Sequence, residues 1–251
     1  MTGKTHRAGG MLCSIIGFEI LRQKGLLLPD VNEGVQWLVM YPFTMWGSIA
    51  SDLDHHWDSC PDKSYPSWFI NKALHITAPI KKSLDKTLNE SQKKHNPVYK
   101  VADFLNASHR SWQTHSDLTL IAMIYLLHLI IAGKFTSLGT LDISILTLIL
   151  TGVCLGVVAH FILDVLTPEG VWITGLVILN RIVRLVNPRL KIPEKLHIVP
   201  HQKFFATGGK WEEFVNKVLK IATIVAIVWF LGSLLIPIVM KYIPYSITIS
   251  N

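Results

Sequence analysis

The chain alternates between long apolar blocks and polar, basic stretches, and the blocks are long enough to predict membrane helices. Two are clear spans. Leu141–Leu166 is almost wholly apolar until His160, and Ile221–Met240 is an uninterrupted apolar run bounded by Lys220 and Lys241. Each reaches the roughly 20 residues that a helix needs to cross the hydrocarbon core. Asp117–Ala132 predicts a third, slightly short span with His128 inside it as a packing or hydrogen-bonded residue. Ala8–Leu21 and Val35–Ala50 are shorter, and read as tilted short spans or re-entrant helices. Val171–Leu179 is too short to cross, is followed by Arg181 and Arg184, and reads as interfacial or re-entrant.

The predicted fold is therefore all-α: a polytopic membrane bundle of about five inserted helices in a single domain over 1–251. A polar insertion at about 57–108 and a final transmembrane anchor at about 220–241 complete it. Within the insertion, Ser67–Leu88 carries Trp68, Phe69 and Leu74 beside Lys72, Lys81 and Lys82. That pattern fits an amphipathic helix on an anionic membrane surface, or equally a solvated loop with some helix.

Composition agrees with this map. Half of the 251 residues are hydrophobic and only 16% are charged, against about 25% in an average soluble protein. The formal charge of +7 is placed unevenly. With the N-terminus inside, Met1–Arg7, His55–His115 and Thr167–Lys220 form the inner segments. They hold two, nine and nine of the 24 Lys and Arg, as the positive-inside tendency predicts. The basic loops carry no stacking motif, so nucleic acid is not expected as a partner. Cys13, Cys60 and Cys154 have no C-x-x-C spacing, and Cys13 and Cys154 read as small buried residues. No cleavable signal peptide is expected, because Glu19 breaks the first apolar stretch and no cleavage site follows it.

Chemistry gathers at the helix ends. Thr5-His6 precedes the first apolar segment, and Asp52-Leu53-Asp54-His55-His56 closes the second. His109-Arg110 through Thr114-His115-Ser116 precedes the third, and His160 with Asp164 closes the fourth. Each cluster alone is weak, since a boundary histidine is more often a surface or packing residue. On the topology set by lysines and arginines, however, all four fall on one side of the membrane.

His160 and Asp164, four apart, share one helix face. Among Val157, Phe161 and Ile162, such an ionisable pair is costly without a partner. A divalent cation suits mixed imidazole and carboxylate donors, with zinc favoured and manganese or iron as alternatives. The expected metal ligands are His6, Asp52, His109, His115, His160 and Asp164. Asp54 is a further ligand or a general base, Arg110 a fork for phosphate, and Thr114 a third catalytic candidate. With so many donors the site accommodates one or two cations, and two would suit phosphoester hydrolysis. Glu19 is expected to pair with a basic group, while His75, His95, His197 and His201 have no evident partners in the sequence.

At these clusters the chain resembles the LexA-regulated, membrane-bound, metal-dependent hydrolase family, the YdjM-like inner-membrane proteins. The resemblance is carried by Thr5-His6, by Ser51-Asp52-Leu53-Asp54-His55, and by His109-Arg110 with Thr114-His115-Ser116. It continues through Gly156, His160, Asp164, Thr167-Pro168 and Gly170, and the tail residues Lys191-Ile192-Pro193, Thr207-Gly208 and Glu212 fit as well. Ser51 stands where the family has proline, and both the 57–108 insertion and the loop after Arg110 run longer than its pattern.

The resemblance implies a metal-dependent hydrolase in the inner membrane of a prokaryote. The expected partners are the lipid bilayer and a lipid or lipid-linked phosphoester, and the expected site lies on the cytoplasmic side. Two rival readings are a metal transporter or sensor, and a non-catalytic membrane scaffold. The first needs ligands along a path through the bilayer; the second needs none of the clusters to be active.

Overall fold

The computed structural model describes residues 3–54, 63–105, 114–132, 143–187, 189–198 and 208–242. Helix α1 (Gly3–Gln23) leads to α2 (Glu33–Ala50), which tightens into a 3₁₀ turn at Ser51–Asp54. The insertion forms α3 (Tyr65–Leu74), α4 (Ala78–Thr87), α5 (Glu90–His95) and α6 (Pro97–Leu105). Then follow α7 (Asp117–Ile131), α8 (Ile143–Val165), β1 (Val171–Trp172), α9 (Thr174–Val186), β2 (Lys195–Leu196) and α10 (Lys210–Tyr242). The strands form a short antiparallel ladder, pairing Val171 with Leu196 and Trp172 with Lys195. Helix dominates the described residues, as expected.

Among the described residues, two helices are long and apolar enough to cross a membrane: Ile145–Val165 in α8 and Lys210–Ile236 in α10. The apolar part of α7, Asp117–Leu126, is shorter. Helix α1 is 21 residues long but mixed in character, burying Thr5, His6, Ser14 and Glu19 along its inner face. Glu19 is closed by Arg22 at 2.7 Å and Gln23 at 2.9 Å, in line with the expected pairing. The amphipathic reading of Ser67–Leu88 resolves into two helices, α3 and α4, because His75 leaves the helical conformation and Pro79 opens a second helix.

The bundle is held by α1, α2 and α8, with α10 against α1. Ile15 and Phe18 of α1, Met40 of α2, Leu148 of α8, and Ala226 and Phe230 of α10 form one core cluster. The rings of Phe18 and Phe230 meet edge to face at 5.8 Å. Val153, Val157, Phe161 and Val171 form a second cluster with Leu120 and Met123 of α7.

Close approach of α2 and α8 depends on Gly152 and Gly156, four apart on α8. A β-carbon at Gly152 would come 2.5 Å from the Met40 carbonyl oxygen, and one at Gly156 would collide with the Thr44 carbonyl. Small residues at this spacing let helix backbones touch, which is how membrane helices pack where no hydrophobic drive separates helix from lipid. The contact fixes the ends of α2 and α8, and both ends carry acidic side chains.

The insertion is tied to that same end. Trp46 Nε1 donates to Ser67 Oγ at 2.8 Å, and Asn71 Nδ2 donates to the Leu53 carbonyl at 2.6 Å. The free thiols also follow expectation, with Cys154 buried, Cys13 half-buried, and Cys60 outside the described residues.

Candidate metal centre

Five side chains from four parts of the chain converge. His6 comes from the first turns of α1, Asp52 from the 3₁₀ turn, and His115 from the segment entering α7. His160 and Asp164 come from the last turns of α8, one turn apart on the same face. All five are buried; His6, His160 and Asp164 have no solvent exposure.

Each imidazole Nε2 lies within reach of both carboxylates. His6 is 3.4 Å from Asp164 and 3.9 Å from Asp52. His115 is 3.5 Å from Asp164 and 3.4 Å from Asp52. His160 is 3.2 Å from Asp164 and 3.9 Å from Asp52. Donors about 2.1 Å from a tetrahedral zinc stand about 3.4 Å from one another, so the spacing suits a shared cation.

The hydrogen bonds behind the rings point the same way. His160 Nδ1 faces the Ser48 carbonyl at 2.8 Å. A carbonyl only accepts, so Nδ1 carries a proton and Nε2 offers a lone pair. On the other side, Thr114 donates its hydroxyl proton to Asp54 Oδ2, which leaves the Thr114 oxygen to accept from His115 Nδ1 at 2.9 Å. Asp54 Oδ2 is itself 3.5 Å from that nitrogen. His115 Nε2 is thereby turned inward as well. A histidine backed by a carboxylate is the usual outer support of a metal-bound imidazole.

The ring of His6 stacks on that of His160, with centroids 3.9 Å apart. Neither nitrogen of His6 makes a hydrogen bond among the described residues. A fully buried imidazole without hydrogen bonds costs stability that a bound cation would recover.

Electrostatics also favour positive charge here. Burial works against a charged His115, yet hydrogen bonds to Asp52 and Asp54 outweigh it and push its pKa up to about 9. Burial likewise opposes ionised Asp52, but His160, His115 and His6 hold its carboxyl well below the usual range. The residues fit a divalent cation.

The sequence-expected site is assembled as follows. His6, Asp52, His115, His160 and Asp164 come together, in two overlapping groups that are able to hold an ion: His6, His160 and Asp164, and Asp52, His115 and His160. Asp54 and Thr114 sit directly behind His115. His109, Arg110, His55 and His56 lie outside the described residues. His128 is exposed on α7 among the described residues, where the sequence suggests a packing or hydrogen-bonded residue.

Two features went unread in the sequence. Ser48, which fixes the His160 tautomer, acts through its backbone, which leaves no side-chain signature. Thr5 donates to Glu212 Oε1 at 2.6 Å, and the Gly208 amide donates to Glu212 Oε2 at 2.7 Å, tying the start of α1 to the start of α10. Both residues stand in the family-like motifs, but their pairing across the chain is a tertiary fact.

Comparison with curated proteins and with solved structures finds no match. A family model described as YdjM inner membrane protein matches residues 1–242, covering every helix and the whole His/Asp cluster. This chain belongs to the YdjM inner membrane protein family.

Proposed function

We propose that the chain is a membrane-bound, metal-dependent hydrolase that cleaves a phosphoester of a lipid or lipid-linked molecule at the cytoplasmic membrane interface. The observation that carries this reading is the convergence of three inward-turned imidazoles on two buried aspartates. In this reading α8 and α10 cross the bilayer, and α1, α2 and α7 insert beside them. The Lys and Arg asymmetry puts the N-terminus and the site inside.

His6, Asp52, His115, His160 and Asp164 would hold one or two divalent cations. Each aspartate turns one oxygen to His6 and the other to His115 and His160, so the carboxylates face all three imidazoles. Bound there, such cations supply Lewis-acid polarisation of a phosphoryl oxygen and a low-pKa water. The protein's part is to orient and to hold protons. Ser48 and Asp54 fix the two ring tautomers, and Asp54 with Thr114 can take a proton behind His115. Arg110, four residues before Thr114 in the chain, forks onto the phosphate.

A transport reading has less support. Among the described residues, Glu19 is closed by Arg22 and His128 is exposed, so neither extends the ligand cluster across the bundle.

The test is elemental analysis of purified protein together with a panel of lipid and water-soluble phosphoesters, comparing wild type with His115→Ala and Asp164→Ala. Stoichiometric metal and hydrolysis in wild type, both lost in the variants, is the expected result. Metal-free wild type, or metal without hydrolysis of any substrate, rejects the enzyme.

A further inference from the structure

Beyond Asp164 the chain builds a second feature that the metal chemistry does not use. Gly170, with φ at +59°, turns the chain from the end of α8 into β1, a backbone state that favours glycine. A β-carbon there would also crowd the Leu196 carbonyl. The segment that returns from α9 pairs with β1, and the two walls enclose an open groove of about 570 Å³. Asn180 staples the wall together: its amide donates to Glu194 Oε1, and its oxygen accepts from the Ile192 amide at 2.9 Å.

The lining is rich in cations. Arg184, Lys191 and Lys195 all face the groove. Arg184 and Lys191 make no side-chain hydrogen bond or ion pair among the described residues. Lys195 Nζ sits 4.5 Å over the Trp172 ring, a cation–π contact within the lining. Two acids also line the groove, Glu169 and Glu194, and the Glu194 carboxylate is engaged by Asn180.

The elements that carry the groove also expose apolar side chains. Ile178, Leu179 and Ile182 are exposed on α9, and Leu190, Leu196 and Ile198 are exposed on the returning segment. An apolar skin around cationic heads is the composition of a protein surface at the lipid headgroup level. The groove also shares a wall with the metal centre. The Trp172 amide donates to the His115 carbonyl at 2.9 Å, and the Ile198 amide donates to the Val165 carbonyl, next to Asp164, at 2.9 Å.

We infer that this groove binds the phosphate headgroup of a membrane amphiphile, with Arg184, Lys191 and Lys195 on the phosphate and the acyl chain left to the bilayer. As a substrate subsite it rests on the hydrolase reading; as a binding site it stands alone.

The experiment uses the full chain in neutral detergent micelles and follows binding by calorimetry. The probes are dioctanoyl phosphatidic acid, dioctanoylglycerol and inorganic phosphate. Binding is repeated in the Asp164→Ala background, where a cation at the centre no longer contributes. Wild type and Asp164→Ala should both bind phosphatidic acid. The doubly substituted R184Q/K191Q chain should bind it about tenfold more weakly, as loss of charge-assisted bonds requires, with Tm unchanged. Lys195→Gln should weaken it in the same direction.

Unchanged affinity in R184Q/K191Q with intact Tm overturns the proposal, as does equal binding of dioctanoylglycerol. Inorganic phosphate binding as tightly as phosphatidic acid overturns the lipid assignment. Failure of the enzyme reading has a separate signature: no phosphoester is cleaved, yet phosphatidic acid binding and its loss in R184Q/K191Q persist. Failure of the groove alone leaves hydrolysis intact, with the same KM in wild type and R184Q/K191Q.

Discussion

The Nε2 atoms of His115 and His160 lie 3.2 Å apart, while the Nδ1 of each ring is engaged on its far side, by Thr114 and by the Ser48 carbonyl. Without metal, a proton shared by the two nitrogens, which the raised pKa of His115 favours, stands where a cation beside the aspartates would go. That relationship makes the cluster able to hold a metal ion.

The first prediction concerns Asp164, one of the two aspartates within reach of all three imidazoles. Asp164→Asn removes a charge and makes one oxygen position a donor, so the purified variant should carry less than a tenth of the wild-type metal by mass spectrometry. Wild-type metal content in this variant would remove Asp164 from the ligand set.

Asp54 lies behind His115, so on the proposed reading Asp54→Asn should keep the metal but bind it about 10- to 100-fold more weakly. Competition against a chelator of known affinity reads this directly. Thr114→Val should follow in direction with a smaller effect, since it breaks the same relay and leaves the carboxylate.

The group His6, His160 and Asp164 predicts that His6→Ala holds less metal than wild type, because it keeps only two of those three donors. Metal titration followed by desalting and elemental analysis gives the stoichiometry. Wild-type metal content in His6→Ala would show that His6 has no part in holding it.

Metal should stabilise the fold. Free cation at 100 times its Kd adds about 2.7 kcal/mol by linkage, so chelation should lower the Tm of the detergent-solubilised chain, and added metal should restore it. Asp164→Asn should show no such response.

Packing supplies a last prediction. Gly156→Val drives a side chain into the Thr44 carbonyl on α2, and backbone cannot swing aside as a side chain can. Overpacking of this kind costs about 1–3 kcal/mol. A lowered Tm with metal content reduced in proportion is expected; an unchanged Tm would mean that α2 and α8 are less tightly apposed than described.

Much of this site was legible in the sequence because metal ligands are rare in apolar surroundings. His160 and Asp164 advertise themselves by standing four apart in a helix that otherwise reads as lipid-soluble. The side assigned to each cluster came from lysines and arginines far from the ligands, and five of the six expected ligands do meet. Less was legible wherever the decisive group is backbone or a distant partner. Asp54 looks like a ligand because of its spacing from Asp52, yet only the fold places it behind His115.

Span lengths misled in the other direction. The apolar run Ile221–Met240 marks the membrane part of α10, but the helix begins at Lys210, where Glu212 has a structural task that hydropathy does not register. The two short segments at the start of the chain form full helices because their polar residues are consumed internally, as Gln36 is by the Leu28 and Val31 carbonyls.

The bond from Thr5 to Glu212 joins residues 207 positions apart. Thr5 precedes His6 directly, and the partner that anchors it belongs to α10, which follows all five clustered side chains in the chain. The clasp therefore forms only once translation has passed Glu212. Until then the clustered residues are all present but the start of α1 is untied, and a product ending before Lys210 would lack that tie altogether.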